Sequence, residues 1–111
     1  MQYANNTATP FTNYNVAVGF EALRGSTTAS ANTGNYNTAL GYQTLKSNTT
    51  GFRNTANGYN ALYTNTEGTS NTASGYNALY SNTTGSHNTA NGIFALYYNN
   101  TGNNKDRKSV V

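Results

Sequence analysis

Cysteine and tryptophan are absent from these 111 residues, proline occurs once, and only 8% of the chain is charged. Without cysteine there is no disulfide to staple the fold and no thiolate to hold a metal. With so few charges there is no basic face for a nucleic-acid backbone, which excludes that class of partner. The formal net charge of +3 gathers at the end of the chain, where Lys105, Arg107 and Lys108 stand. In the body, Arg24, Lys46 and Arg53 face Glu21 and Glu67, leaving it close to neutral.

Long apolar runs are missing too. No stretch approaches the roughly 20 residues that cross a bilayer as a helix, so no membrane insertion is expected in this segment. The residues after Met1 do not read as a signal peptide, so in an exported protein Met1 would open a cut fragment. Hydrophobic residues amount to 35%, many of them Ala and Tyr, which excludes a large aliphatic core. Asn, Thr, Gly, Ser and Tyr dominate instead, a bias that suits a hydrogen-bonded repeat array.

The repeat is plain. Gly34, Gly51, Gly68, Gly85 and Gly102 recur every 17 residues, as do Asn37, Asn54, Asn71 and Asn88, each opening Asn-Thr-Ala-x-Gly. An earlier copy, Asn15-Val16-Ala17-Val18-Gly19, starts 22 residues before Asn37, and its five extra residues fall in the Ser/Thr/Ala-rich stretch 24–33, a loop by composition. Three positions never vary across the copies: Ala17, Ala39, Ala56, Ala73 and Ala90; Gly19, Gly41, Gly58, Gly75 and Gly92; Leu23, Leu45, Leu62, Leu79 and Leu96. After each inner Gly comes a large side chain, namely Phe20, Tyr42, Tyr59, Tyr76 or Ile93, and then a free position, Glu21, Gln43, Asn60, Asn77 or Phe94. A residue fixed in every copy meets its own copies in the neighbouring coils, which is how a solenoid is built.

A 17-residue unit is too short for a helix pair of about 34 residues or a propeller blade of about 40. It suits one coil of two short strands and two turns. The fold class expected is therefore all-β, a parallel β-solenoid or β-roll of about five 17-residue coils. Asn-Thr-Thr-Gly at 48–51 and 82–85 and Asn-Gly at 57–58 and 91–92 supply turn residues that accept positive φ. The chain divides into an N-terminal segment or cap (1–10), a repeat domain (11–102, copies starting near 12, 34, 51, 68 and 85) and a polar C-terminal tail or link (103–111).

Stacked coils turn repeats into ladders. The row Asn15, Asn37, Asn54, Asn71 and Asn88 is expected to chain its amides from coil to coil and satisfy polar groups that a thin core would strand. The rows Ala39, Ala56, Ala73, Ala90 and Leu45, Leu62, Leu79, Leu96 form the core, with one aromatic ring per coil expected to be buried beside them. So little apolar surface hardly balances ordering entropy of about 1–2 kcal/mol per residue. Association is the expected remedy, as a homotrimer or an end-to-end filament.

Among surface rows, Tyr63, Tyr80 and Tyr97 follow the Leu ladder, with Arg24 and Lys46 in that place earlier. Such a strip suits contact with a carbohydrate or protein ligand, or packing between subunits. The rows Thr38, Thr55, Thr72, Thr89 and Thr49, Thr66, Thr83 offer a rival reading, an ice-ordering face. Chemistry has little raw material: His87 is the only histidine, and its turn position holds Tyr36, Arg53 and Ser70 in other copies. Calcium-binding rolls need ranks of Asp, zinc needs more ligands, and these glycines make no phosphate loop. No catalytic residue, metal site or cofactor is expected. Glycosylation sequons stand at Asn5, Asn48, Asn82 and Asn99.

The string Asn-Thr-Ala-x-Gly-Tyr-x-Ala-Leu followed by Asn-Thr-Thr-Gly resembles the head repeats of trimeric autotransporter adhesins and related repeats in phage tail fibres and other bacterial surface fibres. The resemblance covers about residues 11–102 and is best at Asn37-Thr38-Ala39-Leu40-Gly41 and Asn15-Val16-Ala17-Val18-Gly19. It departs from the commonest head repeat, which is shorter and carries Val-Ala-Ile, where later copies here have Asn57, Ser74 and Asn91 in place of Leu40. The resemblance implies a left-handed, trimeric β-roll at a cell or virion surface, binding or presenting a surface ligand, with the tail leading to a stalk. A self-assembling extracellular filament subunit and an ice-binding solenoid are the alternatives.

Overall fold

A computed structural model describes residues 13–108. Six short strands, β1 (Val16–Val18), β2 (Thr38–Leu40), β3 (Thr55–Asn57), β4 (Thr72–Ser74), β5 (Thr89–Asn91) and β6 (Asp106–Arg107), stack in chain order into one parallel sheet. The chain is a β-solenoid, and the described residues contain no α-helix. Register follows the repeat: Thr55 pairs with Thr72 and Thr89, and Ala56 with Ala73 and Ala90. The first coil is longer because Val16 pairs with Thr38. Its extra residues loop out through a single 3-10 turn, Ala29–Ala31. Asn32 pins that loop, accepting the Ser26 N–H at 2.8 Å and donating to the Ser26 carbonyl at 3.0 Å.

Each coil carries one three-residue strand rather than two. The physical reason lies beyond the inner glycine, where the chain bends through alternating left-handed residues: in one coil Asn60 has φ 56° and Leu62 φ 53°. A left-handed conformation costs a side-chain-bearing residue about 1–2 kcal/mol. Leu62 accepts that cost because its side chain is fully buried against its copies Leu45 and Leu79. The corner still stacks, with Leu45 N–H donating to the Ala61 carbonyl and Leu62 N–H to that of Ala78, both at 3.0 Å. Gly58, at φ 132°, supplies the positive φ expected of Asn-Gly, and a Cβ there would sit 2.8 Å from the Gly75 oxygen. The glycine of Asn-Thr-Thr-Gly serves differently: a Cβ on Gly51 would strike the Asn48 amide and the Gly68 carbonyl.

The interior is narrow, built from the strand alanines, the row Ala22, Ala61, Ala78 and Ala95, and the Leu ladder. Asparagine does the rest. Asn54 donates its backbone N–H to Asn37 Oδ1 (2.9 Å), its Nδ2 to the Gly68 carbonyl (2.8 Å), and accepts the Asn71 N–H on Oδ1 (3.0 Å). The row begins at Asn13, whose Oδ1 accepts the Asn15 N–H, and ends where Asn88 Oδ1 accepts the Lys105 N–H.

A second asparagine ladder, read from sequence only as turn chemistry, runs parallel to the first. Asn65 Nδ2 donates to Asn48 Oδ1 and Asn82 Nδ2 to Asn65 Oδ1, both at 2.8 Å, and Asn99 continues the row to Asn82 at 3.0 Å. The turn glycines join the two ladders: the Gly68 carbonyl accepts from both Asn54 and Asn65, and that of Gly85 from both Asn71 and Asn82. Asn48 and Asn82 are fully buried, so their sequons are closed to a glycan in the folded coil. Residues 103–108, read by composition as a polar tail, carry the sixth strand. The segment 1–10 and residues 109–111 lie outside the described residues, and so does the sequon at Asn5.

Candidate functional site

The coil rise of about 4.8 Å matches the distance at which aromatic rings stack, and the surface uses this. Phe20, Tyr42, Tyr59 and Tyr76 form a column with centroids 5.4, 4.9 and 5.0 Å apart and planes within 14° of parallel. Tyr63, Tyr80 and Tyr97 form another, at 5.1 Å for each step. Tyr14 and Tyr36 add a shorter stack at 5.0 Å. Within a column the ring faces are consumed by neighbouring rings, so solvent meets ring edges and phenolic oxygens.

The two long columns differ in exposure. The Phe20 column, expected to be buried beside the Leu ladder, is exposed instead: its members and Ile93 lie between 41% and 63% accessible. The inner glycine, at φ 125–132° in the later coils, turns the following side chain outward. Val18 and Leu40, on the outer strand face, extend this apolar strip towards the first coils. The Tyr63 column is half-buried, and its first ring is closed by the Lys46 ammonium 5.5 Å from the centroid. Lys46 in turn sits 2.8 Å from Glu21, which accepts from Gln43 at 2.7 Å and lies 3.8 Å from Arg24.

These contacts tune the ionisable groups. The hydrogen bond from Lys46, and then that from Gln43, holds the Glu21 carboxyl below the usual carboxylate range, and Glu21 raises Lys46. Tyr80 is pushed above the ordinary phenol value by burial first, and by Tyr63 and Tyr97 on either side of it.

The threonine rows divide. Thr38, Thr55, Thr72 and Thr89 stand exposed in register on the strand face, but the next outward row is Leu40, Asn57, Ser74 and Asn91. The hydroxyls of Thr49 and Thr66 are used between coils, donating to the Thr66 and Thr83 carbonyls at 3.2 and 3.3 Å, and Thr83 donates to Asn100 Oδ1. His87 is exposed on a turn at φ 60°. Among the described residues no three His, Asp or Glu side chains converge.

No family model, curated protein or solved structure matches this chain.

Proposed function

We propose that the chain is a non-enzymatic, self-associating segment of a bacterial or phage surface fibre, a homotrimer whose coils space or present a surface ligand outside the cell or virion. The observation that carries this reading is the strip Phe20, Tyr42, Tyr59, Tyr76 and Ile93, apolar in every coil and at least 41% exposed at each position. Contiguous exposed apolar strips mark interaction surfaces, and this one repeats at the coil rise, so an identical strip on a second copy meets it in register. Burying it between copies also supplies the apolar area that the narrow alanine core lacks. The resemblance of Asn-Thr-Ala-x-Gly-Tyr-x-Ala-Leu to trimeric adhesin and tail-fibre repeats supports the same reading and sets the number of copies.

Light scattering on a sizing column tests it. The expected mass is three times 11.8 kDa, falling to that of one chain when Tyr59 and Tyr76 are both changed to Ser while the β-type circular dichroism persists. A folded monomer in the parent chain overturns the trimer. Species that grow without limit as concentration rises favour a filament instead, although Lys105 and Arg107 end the Asn and Ala rows with charge. One observation favours an ice-binding reading, the exposed register of Thr38, Thr55, Thr72 and Thr89; thermal hysteresis in a freezing assay would establish it.

A further inference from the structure

In a repeat protein each residue has its own controls, the residues at the same position in the other coils. The last coil departs from them at four positions. Phe94 replaces the polar Glu21, Gln43, Asn60 and Asn77; Tyr98 replaces the small Gly25, Ser47, Thr64 and Ser81. Lys105 stands in the Asn ladder, and Arg107 pairs with Ala90 at an inward position of the strand row. All four line one cavity of about 680 Å³, together with Leu96, Tyr97 and Asn99.

The departures are complementary. Phe94 and Tyr98 set their rings edge-to-face with Tyr97, at centroid distances of 5.5 and 4.9 Å and interplanar angles of 74° and 77°, so the cavity has aromatic walls in different planes. Tyr97 ends the Tyr63 column here, where no further coil supplies a ring. Asn99 donates to Asn82 Oδ1 and the Gly102 carbonyl, while its own Oδ1, the ladder acceptor in Asn48, Asn65 and Asn82, meets no donor among the described residues. Lys105 and Arg107 occupy core-facing ladder positions, whereas Asp106 falls on the outward Thr row, and neither cation has an acidic partner among the described residues.

We propose that this mouth of the solenoid binds an acidic saccharide. An apolar C–H face of a sugar ring lies on the aromatic wall, Lys105 and Arg107 take its carboxylate or sulfate, and Asn99 Oδ1 accepts a ring hydroxyl. The volume lies within the range of about 300–1,000 Å³ that small-ligand sites occupy, and charge-assisted contacts to the acid group supply the selectivity. The site goes beyond the fibre reading, because it sits at the end of the stack and not on the strip between copies.

The test is a titration of the full chain with trigalacturonate, the neutral trisaccharide of galactose, and sodium sulfate, followed by amide chemical shifts and tyrosine fluorescence. The expected result is saturable shifts confined to residues 94–107 with trigalacturonate only. Arg107→Gln is expected to weaken binding at least about tenfold, and Tyr98→Ala to do the same with an unchanged melting temperature, since Tyr98 is 88% exposed. Equal binding of the neutral trisaccharide, sulfate competing as tightly as the sugar, or binding that survives both substitutions overturns the proposal. The solution mass is read on the same samples, so loss of self-association and loss of sugar binding register separately.

Discussion

Replacing Asn54 with Ala deletes one rung of the ladder and leaves the rest in place. The Asn71 N–H loses its acceptor in a fully buried setting, while the Gly68 carbonyl keeps the amide of Asn65. A buried donor without a partner costs about 1–3 kcal/mol. The vacated amide volume adds about 1 kcal/mol for a void larger than a methyl group. The expected loss is about 2–4 kcal/mol, a large part of the 5–15 kcal/mol that typically separates folded from unfolded chains. In thermal unfolding followed by circular dichroism this is a fall of about 8 °C or more for a chain of this size. Asn57→Ala, one coil position away on the exposed face, is the control and should stay within about 0.5 kcal/mol of the parent. A melting temperature for Asn54→Ala within error of Asn57→Ala would refute the idea that buried asparagine amides carry this fold.

Three further outcomes follow from individual residues. The Thr44 hydroxyl is buried without a partner where the other coils have Ala22, Ala61, Ala78 and Ala95, so Thr44→Val, which keeps the volume, should raise stability by about 1–2 kcal/mol; a lower urea midpoint would contradict this. Gly58→Ala places a Cβ 2.8 Å from the Gly75 oxygen at φ 132°, and the melting curve should show a loss of at least about 2 kcal/mol. Because burial and its neighbours raise the Tyr80 phenol above its ordinary value, the folded state favours the neutral form. The stability this gives is complete below the unfolded phenol value and is lost as pH rises through the folded one. Absorbance at 295 nm should therefore show a late-ionising tyrosine that Tyr80→Phe removes, and a titration unchanged by that substitution would count against the stack.

The positions that never vary could be read directly, because a residue that meets its own copies is constrained by them. Ala56, Leu62 and Asn54 are buried for that reason. The same logic misplaces the Phe20 row, since rings spaced at the coil rise stack equally well outside the core, and invariance of type does not report side. The left-handed conformation of Leu62 left no local mark; filling the core, and not backbone propensity, selects leucine there. The second asparagine ladder was hidden by the turn-like look of Asn-Thr-Thr-Gly and by the insertion, which leaves Asn32 two residues before Gly34 where Asn48 stands three before Gly51. The sixth strand was legible by counting 17 residues from Asn88, Thr89 and Ala90 to Lys105, Asp106 and Arg107, but their charge made them resemble a tail.

Hydrogen exchange of the asparagine side-chain amides, resolved by NMR in deuterated water, reaches the core of this account most directly. The Nδ2 protons of Asn37, Asn54, Asn65, Asn71 and Asn82 are held between coils, and they should persist as long as the backbone amides of β2 to β5. Side-chain amides that exchange at once while those strand amides remain protected would mean that the coils stack without the ladders, and the account would fall.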